Sequence, residues 1–218
     1  MSNVLAIFMK TPRAGLVKTR LARSVGDQEA VAVYRQLVEH LFRQVCSRDA
    51  SYEVQVFLGE KDGVNEVRAW LNLEAPIRTQ KGSDLGTRIA NAFRELFALK
   101  YDKAVIVGVD APGLSRALVE ASFAALEKAD AVIGPALDGG YYLLGLKKMD
   151  RTLFENIDWS TSRVLAQTTA QLERRRMSYF FLQELRDIDT LEDLQIEGFG
   201  DYSCAQRRGV HSKGSRRH

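Results

Sequence analysis

The side chains best suited to chemistry in this chain form a group of cations near its start. Residues 10–20 contain no acidic residue and four basic ones: Lys10, Arg13, Lys18 and Arg20. Gly15 lies among them and allows the chain to turn. Cations that precede a helix, together with its first backbone N–H groups, bind phosphate groups. A solvated basic loop is the alternative, because the spacing matches neither GxxxxGK[ST] nor GxGxxG.

Asp110 is the leading candidate for binding a metal ion. It follows residues 104–109, a continuous apolar run that is typical of a central parallel strand covered on both faces. A carboxylate at the end of such a strand is costly unless a cation neutralises it. Mg²⁺ or Mn²⁺ is the predicted cation, with Asp187 as a weaker second ligand. A turn or helix-cap role for Asp110 is the alternative, because Pro112 follows.

A glycine-containing turn between two strand-like segments is a further candidate for binding a substrate. It contains Asp138, Gly139 and Gly140, and Tyr141 begins the next strand. The two glycines would let a substrate approach the backbone closely. Because Asp-Gly is also common in turns, a purely structural role for Asp138 stays open.

Two other polar loops precede predicted helices. In residues 80–88, Asp84 is predicted to cap the helix, and Arg88 on the first turn faces either solvent or an anionic ligand. In residues 186–190, Asp189 is predicted to cap the last helix.

Several reaction classes are excluded by what the sequence lacks. His40 is the only histidine outside the C-terminal tail, and GxSxG, HExxH and CxxC spacings are missing. Covalent hydrolase and zinc chemistry are therefore not expected. The remaining chemistry is transfer from a nucleotide, driven by positioning and by charge rather than by a protein nucleophile.

Composition indicates one domain. The chain has 218 residues, 45% hydrophobic and 27% charged, which suits a single core. No apolar run is long enough to span a membrane and no signal-peptide pattern is present, so we expect a cytoplasmic protein. Residues 207–218 carry five Lys/Arg and no acid, and without them the net charge of +3 becomes −2. We therefore expect a basic, disordered tail over 199–218 and no specific nucleic-acid partner.

Strand-like and helix-like segments alternate along the rest of the chain. Strands are predicted near residues 4–8, 52–58, 104–109, 131–134, 141–146 and 179–182. Helices are predicted near 27–45, 64–71, 85–97, 118–128 and 160–172, and from 189 onward. This order predicts a single α/β domain over 1–198, with three α/β/α layers and a mostly parallel sheet. Ligands bind beyond the carboxyl ends of such strands, where the three candidate regions lie.

Taken together, these segments resemble the DUF2064 family. Its members are glycosyltransferase-like proteins, also described as rSAM/selenodomain-associated transferase 1, in the nucleotide-diphospho-sugar transferase (GT-A) superfamily. The resemblance covers about residues 3–195. The motifs are KTP and GLVKTRL in 10–21, QKGSDLGTR in 80–88, GVDAP in 108–112, GP and DGGYYLLG in 134–145, WST in 159–161, and DIDT and DL in 187–194.

The resemblance implies roles for individual residues. Lys18 matches the lysine that holds the nucleotide phosphates, with Arg20 beside it, and Asp110 matches the metal-binding aspartate. Residues 138–141 match the segment that lines the acceptor or sugar pocket. Trp159 either stacks on a substrate or fixes the start of a helix.

Two departures from the superfamily pattern affect the predicted reaction. The first loop lacks the LxGGxGxR form of pyrophosphorylases and looks more like that of phospholactate guanylyltransferases, and a single aspartate replaces the DxD motif. The leading prediction is a metal-dependent, glycosyltransferase-like enzyme with a nucleotide or nucleotide-sugar donor and a small-molecule acceptor. The alternative is a guanylyltransferase-like nucleotidyltransferase that releases pyrophosphate. A non-catalytic nucleotide-binding protein is the more remote alternative.

Overall fold

The computed structural model describes residues 2–199, so that all but Phe199 of the predicted tail lies outside the described residues. The strands are β1 (Asn3–Met9), β2 (Glu53–Leu58), β3 (Ile77–Thr79), β4 (Lys103–Val107), β5 (Ala131–Pro135), β6 (Tyr141–Leu146) and β7 (Tyr179–Phe181). The helices are α1 (Thr19–Val25), α2 (Asp27–Val45), α3 (Val64–Leu71), α4 (Leu85–Ala98), α5 (Arg116–Lys128), α6 (Val164–Arg174) and α7 (Leu191–Glu197).

The strands form one sheet in the order β3-β2-β1-β4-β6-β5-β7. Strand β6 runs antiparallel to both of its neighbours, and the other four pairings are parallel. The prediction of an α/β fold with a mostly parallel sheet is therefore confirmed. The short connection between β5 and β6 explains the antiparallel strand, since a parallel crossover needs a dozen or more residues.

Alternation along the central strands divides the core between the two faces of the sheet. In β1, Leu5 and Ile7 pack with α2, α3 and α5 on one face. Val4 and Ala6 pack with α4 and α6 on the other. Because both faces are covered, the β1 side chains from Val4 to Ile7 are fully buried. This arrangement gives the three predicted layers.

The order of the strands determines where a site can form. From β1 the chain continues to β2 on one side, whereas β4 lies on the other side, so β1 and β4 flank the point at which the strand order reverses. The antiparallel β6 starts at this same edge of the sheet, where the main-chain oxygen of Tyr142 accepts a hydrogen bond from Gly108 N. The β5–β6 turn therefore lies beside the carboxyl end of β4. Among the described residues, no helix is long and apolar enough to cross a membrane.

Candidate functional site

A cleft of about 1130 Å³ opens at this edge of the sheet. The cations that line it are Lys10, Lys18, Arg20 and Arg88, and the carboxylates are Asp110, Asp138, Asp187 and Asp189. Gly15, Gly140, Tyr141 and Trp159 line it too. Three predicted regions that are distant in the sequence thus meet in one cleft, which is large enough for a nucleotide.

Lys18 is the most constrained cation of the cleft. Its backbone is left-handed, with φ at 47°, a conformation that costs free energy in residues other than glycine. Its side chain is only 3% exposed, and its Nζ lies 2.6 Å from Asp110 Oδ1 and 3.5 Å from Asp189 Oδ1. The Nζ also donates to the main-chain oxygen of Ile188. Burial lowers the pKa of Lys18, but attraction by Asp110 and Asp189 outweighs burial and raises it, so the ammonium stays charged.

The carboxylates differ in how they are neutralised. The Asp110 carboxylate, 42% exposed, pairs with Lys18. Ser115 caps α5, so the helix-cap alternative for Asp110 is wrong. Within the described chain, Asp187 Oδ1 is buried and has no hydrogen-bond partner. Burial, reinforced by the negative charges of Asp110 and Asp138, raises the pKa of Asp187 to about 8. Near pH 7, Asp187 is therefore mostly protonated, and a cation bound beside it would favour its ionised form.

The segment that carries Asp187 and Asp189 is anchored by the residue between them. The Ile188 side chain is fully buried in a small apolar cluster with Leu21, and its N–H donates to the main-chain oxygen of Asp110 at 2.9 Å. Both flanking aspartates line the cleft instead. The prediction that Asp189 caps the last helix is wrong, because Thr190 caps α7 in a capping box. The alternation of polar and apolar residues around Ile188 is the signal that could have revealed Asp189 as a cleft residue.

The other predicted cations are held less tightly, and one is elsewhere. Lys10 Nζ donates to the main-chain oxygen of Leu16 at 3.2 Å, and Arg20 Nη1 lies 3.4 Å from Asp189 Oδ2. Arg88 Nε donates to the main-chain oxygen of Gly82 at 3.1 Å. The structure does not bring Arg13 into the cleft.

Arg13 instead faces the α3 side of the basic loop. Its guanidinium pairs with Asp62 at 2.8 Å and with Glu66 at 3.0 Å. These hydrogen bonds raise the pKa of Arg13 and lower that of Asp62. Although Lys18 and Arg13 share one loop, only Lys18 contacts the residues of the cleft.

The β5–β6 turn has both structural and cleft-lining residues. Asp138 Oδ1 accepts a hydrogen bond from Gly140 N at 2.8 Å, as in an Asx turn, while Asp138 and Gly140 also line the cleft. Gly139 has φ at 85°, and a Cβ there would lie 2.2 Å from the main-chain oxygen of Ser162. Only glycine fits this position, although Gly139 itself is not among the residues that line the cleft.

Aromatic residues form the wall of the cleft next to this turn. The rings of Tyr141 and Trp159 meet edge to face, 6.5 Å apart, and Phe154 stacks behind Trp159 at 6.4 Å. A Cβ at Gly86 would lie 2.1 Å from the indole, so α4 approaches Trp159 closely. The Tyr141 hydroxyl is buried near Thr168, and burial raises the pKa of this tyrosine. Tyr141 therefore offers the cleft a ring surface, and its hydroxyl lies away from it.

The donor set fits a hard divalent cation in part. Residues 2–199 contain no group of three His, Cys, Asp or Glu side chains arranged to hold a metal ion. Asp110 and Asp187 nevertheless offer carboxylate oxygens, and the buried Asp187 Oδ1 has no hydrogen-bond partner within these residues. Mg²⁺ in proteins is commonly held by one or two carboxylates together with substrate phosphates and water. Two carboxylates in a cleft lined with cations suit that arrangement.

A second groove, of about 500 Å³, lies away from the cleft. It is lined by residues such as Asp130, Lys147 and Met177, and it contains none of the predicted site residues.

Comparison with known proteins identifies the family. The model of a family described as an uncharacterized protein conserved in bacteria (DUF2064) matches residues 42–161. A crystal structure from Desulfovibrio desulfuricans G20, provisionally assigned as a nucleotide-diphospho-sugar transferase, is 32% identical, with 95% of this chain and 91% of that chain covered and a TM-score of 0.86. The chain belongs to the DUF2064 family. The predicted family is thereby confirmed, and the similarity supports the predicted transferase class.

More distant structures share the fold. CMP:2-keto-3-deoxy-manno-octonic acid synthetase in complex with CTP is 12% identical, with 95% of this chain and 100% of that chain covered and a TM-score of 0.57. Rv0371c of Mycobacterium tuberculosis H37Rv, in complex with manganese, is also 12% identical, with 90% and 97% covered and a TM-score of 0.53. Among curated proteins, none matches this sequence.

Proposed function

We propose that this protein is a transferase that binds a nucleotide or nucleotide-sugar donor with a divalent cation and transfers a group to a small-molecule acceptor. One observation carries the proposal: Lys18, Asp110 and the partly unsatisfied Asp187 meet in a large cleft at the point where the strand order reverses. A buried lysine that joins two cleft carboxylates, beside a third with an unpartnered oxygen in the described chain, suits a ligand that brings both phosphate and metal.

Each part of the cleft has a proposed task. Lys10, Lys18, Arg20 and Arg88 bind donor phosphates, and Gly15 shapes the loop that carries Lys10 and Lys18. Asp110 and Asp187 hold Mg²⁺ or Mn²⁺, which neutralises phosphate charge when bound. The manganese complex of Rv0371c, a protein of the same fold, agrees with this choice of metal.

The acceptor is proposed to bind on the opposite wall, beside Asp138 and Gly140. The rings of Tyr141 and Trp159 give this wall an apolar surface, on which a sugar or a base can stack. Gly139 acts indirectly, because its conformation fixes the turn. Arg13 has no proposed role in binding, since its ion pairs lie outside the cleft.

Nucleotidyl transfer with release of pyrophosphate is the second candidate. It is favoured by the crowding of Lys10, Lys18 and Arg20 within residues 10–20, because three cations suit a triphosphate better than a diphosphate. The CTP complex of the synthetase with the same fold agrees with a nucleotide as the ligand.

Thermal-shift measurements with nucleoside triphosphates and nucleotide sugars, with and without Mg²⁺ or Mn²⁺, test the proposal. We expect at least one nucleotide to raise the melting temperature in a metal-dependent way, and Asp110→Asn to abolish the metal-dependent part. Asp62→Asn is the matched control, because Asp62 is a surface carboxylate outside the cleft. The proposal fails if no nucleotide shifts the transition, or if Asp110→Asn behaves like Asp62→Asn.

The products then separate the two reactions. Release of pyrophosphate from a bound triphosphate indicates nucleotidyl transfer, whereas release of a nucleoside diphosphate from a nucleotide sugar indicates glycosyl transfer. Binding without either product, across a broad set of acceptors, would favour the non-catalytic alternative.

We also propose that residues 1–198 carry this function without the basic tail. Removing residues 207–218 should leave the nucleotide-induced shift unchanged. A smaller shift would assign part of the donor binding to the tail.

A further inference from the structure

We infer that Lys18 and the divalent cation compete for the Asp110 carboxylate, so that the metal binds well only when donor phosphates draw Lys18 away from it. This inference rests on the proposed function and adds how the metal and the donor depend on each other. Lys18 would then alternate between two partners, the cleft carboxylates and the phosphates of the bound donor.

The Lys18 ammonium is fully engaged by oxygens of the protein. An ammonium group has three N–H donors and no acceptor. Here Lys18 Nζ is surrounded by three oxygens, Asp110 Oδ1 at 2.6 Å, Asp189 Oδ1 at 3.5 Å and the main-chain oxygen of Ile188. These contacts take up its donors, and the side chain is almost wholly buried. In this arrangement, Lys18 is engaged with the protein and has no donor left for a phosphate.

The lysine and the metal both need the negative charge of Asp110. Lys18 already neutralises Asp110, which is the same carboxylate that the metal needs. A dication brought next to Asp110 meets the buried positive charge of Lys18 within a few ångströms, and like charges at such a distance repel each other. Within the described chain, Asp187 keeps a buried oxygen without a hydrogen-bond partner, which is free to bind the metal. Once Lys18 pairs with the donor phosphates instead, the dication can take its place beside Asp110.

Lys10 is a natural comparison on the same loop. Its ammonium also lines the cleft, but it donates to the main-chain oxygen of Leu16, and no carboxylate of the described chain lies within ion-pair distance of it. Removing Lys10 takes one positive charge from the cleft without uncovering a carboxylate. Lys10→Met is thus a matched control for Lys18→Met.

The inference predicts effects of opposite sign. Without Lys18, the carboxylates are open to the metal, so Lys18→Met should bind Mn²⁺ alone about tenfold more tightly than the unmodified protein, from the Coulomb energy of one nearby charge. The same variant lacks a phosphate ligand, so it should bind the preformed Mn²⁺–pyrophosphate complex about tenfold more weakly. Methionine resembles lysine in length and lacks β-branching, so the left-handed backbone is strained equally in both.

Electron paramagnetic resonance titration with Mn²⁺ and calorimetry with Mn²⁺–pyrophosphate, both on the full-length protein, provide the test. Lys10→Met should change the affinity for Mn²⁺ alone by less than about threefold, because its charge is farther from the carboxylates. Lys18→Gln, which keeps a donor for Ile188, serves as a second variant and should show the same two opposite changes.

Other outcomes overturn the inference. Unchanged affinity for Mn²⁺ in both Lys18 variants would mean that Lys18 does not compete with the metal. Weaker binding of both probes would mean that Lys18 only maintains the shape of the site. Failure of the proposed function is a distinct result, since it concerns whether any nucleotide raises the melting temperature of the unmodified protein.

Discussion

Two buried lysines, Lys103 and Lys18, lie at opposite ends of strand β4, and they differ in the number of carboxylates that they face. Lys103 begins β4, and its side chain is 5% exposed, whereas Lys18 lies beyond the other end of that strand and is 3% exposed. Lys103 pairs with a single carboxylate, that of the half-exposed Glu127. Lys18 faces Asp110 and Asp189.

This difference separates a structural ion pair from a candidate binding site. One cation beside one carboxylate is balanced, and its partner at the rim can be hydrated, so Lys103 needs nothing further. Lys18 contacts two carboxylates, one of which also pairs with Arg20, and nearby Asp187 has a buried oxygen without a partner in the described chain. A buried carboxyl oxygen without a partner costs stability, which makes it a sign of function rather than of folding. Substitutions at the two ends should therefore have separable effects.

The largest expected effect is the loss of metal-dependent donor binding in Asp110→Asn. The amide keeps the shape of the side chain but removes the negative charge that holds the cation, and we expect at least about a hundredfold loss of transferase activity, as for other groups that stabilise developing charge. The activity is that of the nucleotide identified by thermal shift, measured by release of pyrophosphate or nucleoside diphosphate. A loss of less than about threefold, well below that range, would remove Asp110 from the proposed site.

The next prediction concerns the packing of the cleft wall. Gly86→Ala should lower the free energy of unfolding by about 2 kcal/mol, because the new methyl group would overlap the Trp159 indole and overpacking of this kind costs about 1–3 kcal/mol. Chemical denaturation of the full-length protein measures it. Gly108→Ala is the control, since a Cβ at Gly108 would meet nothing within 4 Å. Equal stability of the two variants would show that Trp159 moves aside at no cost.

At the structural end of the comparison, Glu127→Gln should act on stability alone. It leaves the buried Lys103 ammonium beside a neutral amide, which we expect to lower the free energy of unfolding by about 1 kcal/mol, a reduced form of the cost of breaking a buried pair because Glu127 is half exposed. Nucleotide binding should not change, as measured by the metal-dependent thermal shift. A change in that shift would mean that the two ends of the sheet are coupled.

The sequence predicted the fold and the edge of the sheet at which the candidate residues meet, because both follow from local patterns. Apolar runs of residues such as 104–109 identify central strands, and the carboxyl ends of parallel strands share one edge. The sequence did not predict which way each polar side chain faces. Arg13 and Lys18 are both cations on one loop, yet only Lys18 reaches Asp110, because Asp62 and Glu66 bind Arg13 on the other side.

Asp189 is the converse case, a residue that the sequence assigned to a helix cap and that lies in the cleft instead. Its position before a helix predicted a cap, since aspartate is common there, but Thr190 caps α7 and Asp189 contacts Lys18 and Arg20 instead. Local preference for a cap could not reveal a partner that lies about 170 residues earlier in the chain. Contacts of this kind depend on how the segments meet in the folded protein.

The smallest expected effect comes from a comparison of Arg13, which faces α3, with Arg20, which faces the cleft. Arg13→Gln should leave the affinity for the nucleotide unchanged, because its partners Asp62 and Glu66 lie outside the cleft. Arg20→Gln, the same substitution at the start of α1 just after the loop, should weaken it by about threefold, as expected for a solvent-exposed cation near a phosphate. Calorimetry with the nucleotide identified by thermal shift compares them. Since both variants remove one positive charge, equal losses would mean that the loop acts through its net charge, whereas a loss confined to Arg20 would mean that it acts through the direction in which each side chain points.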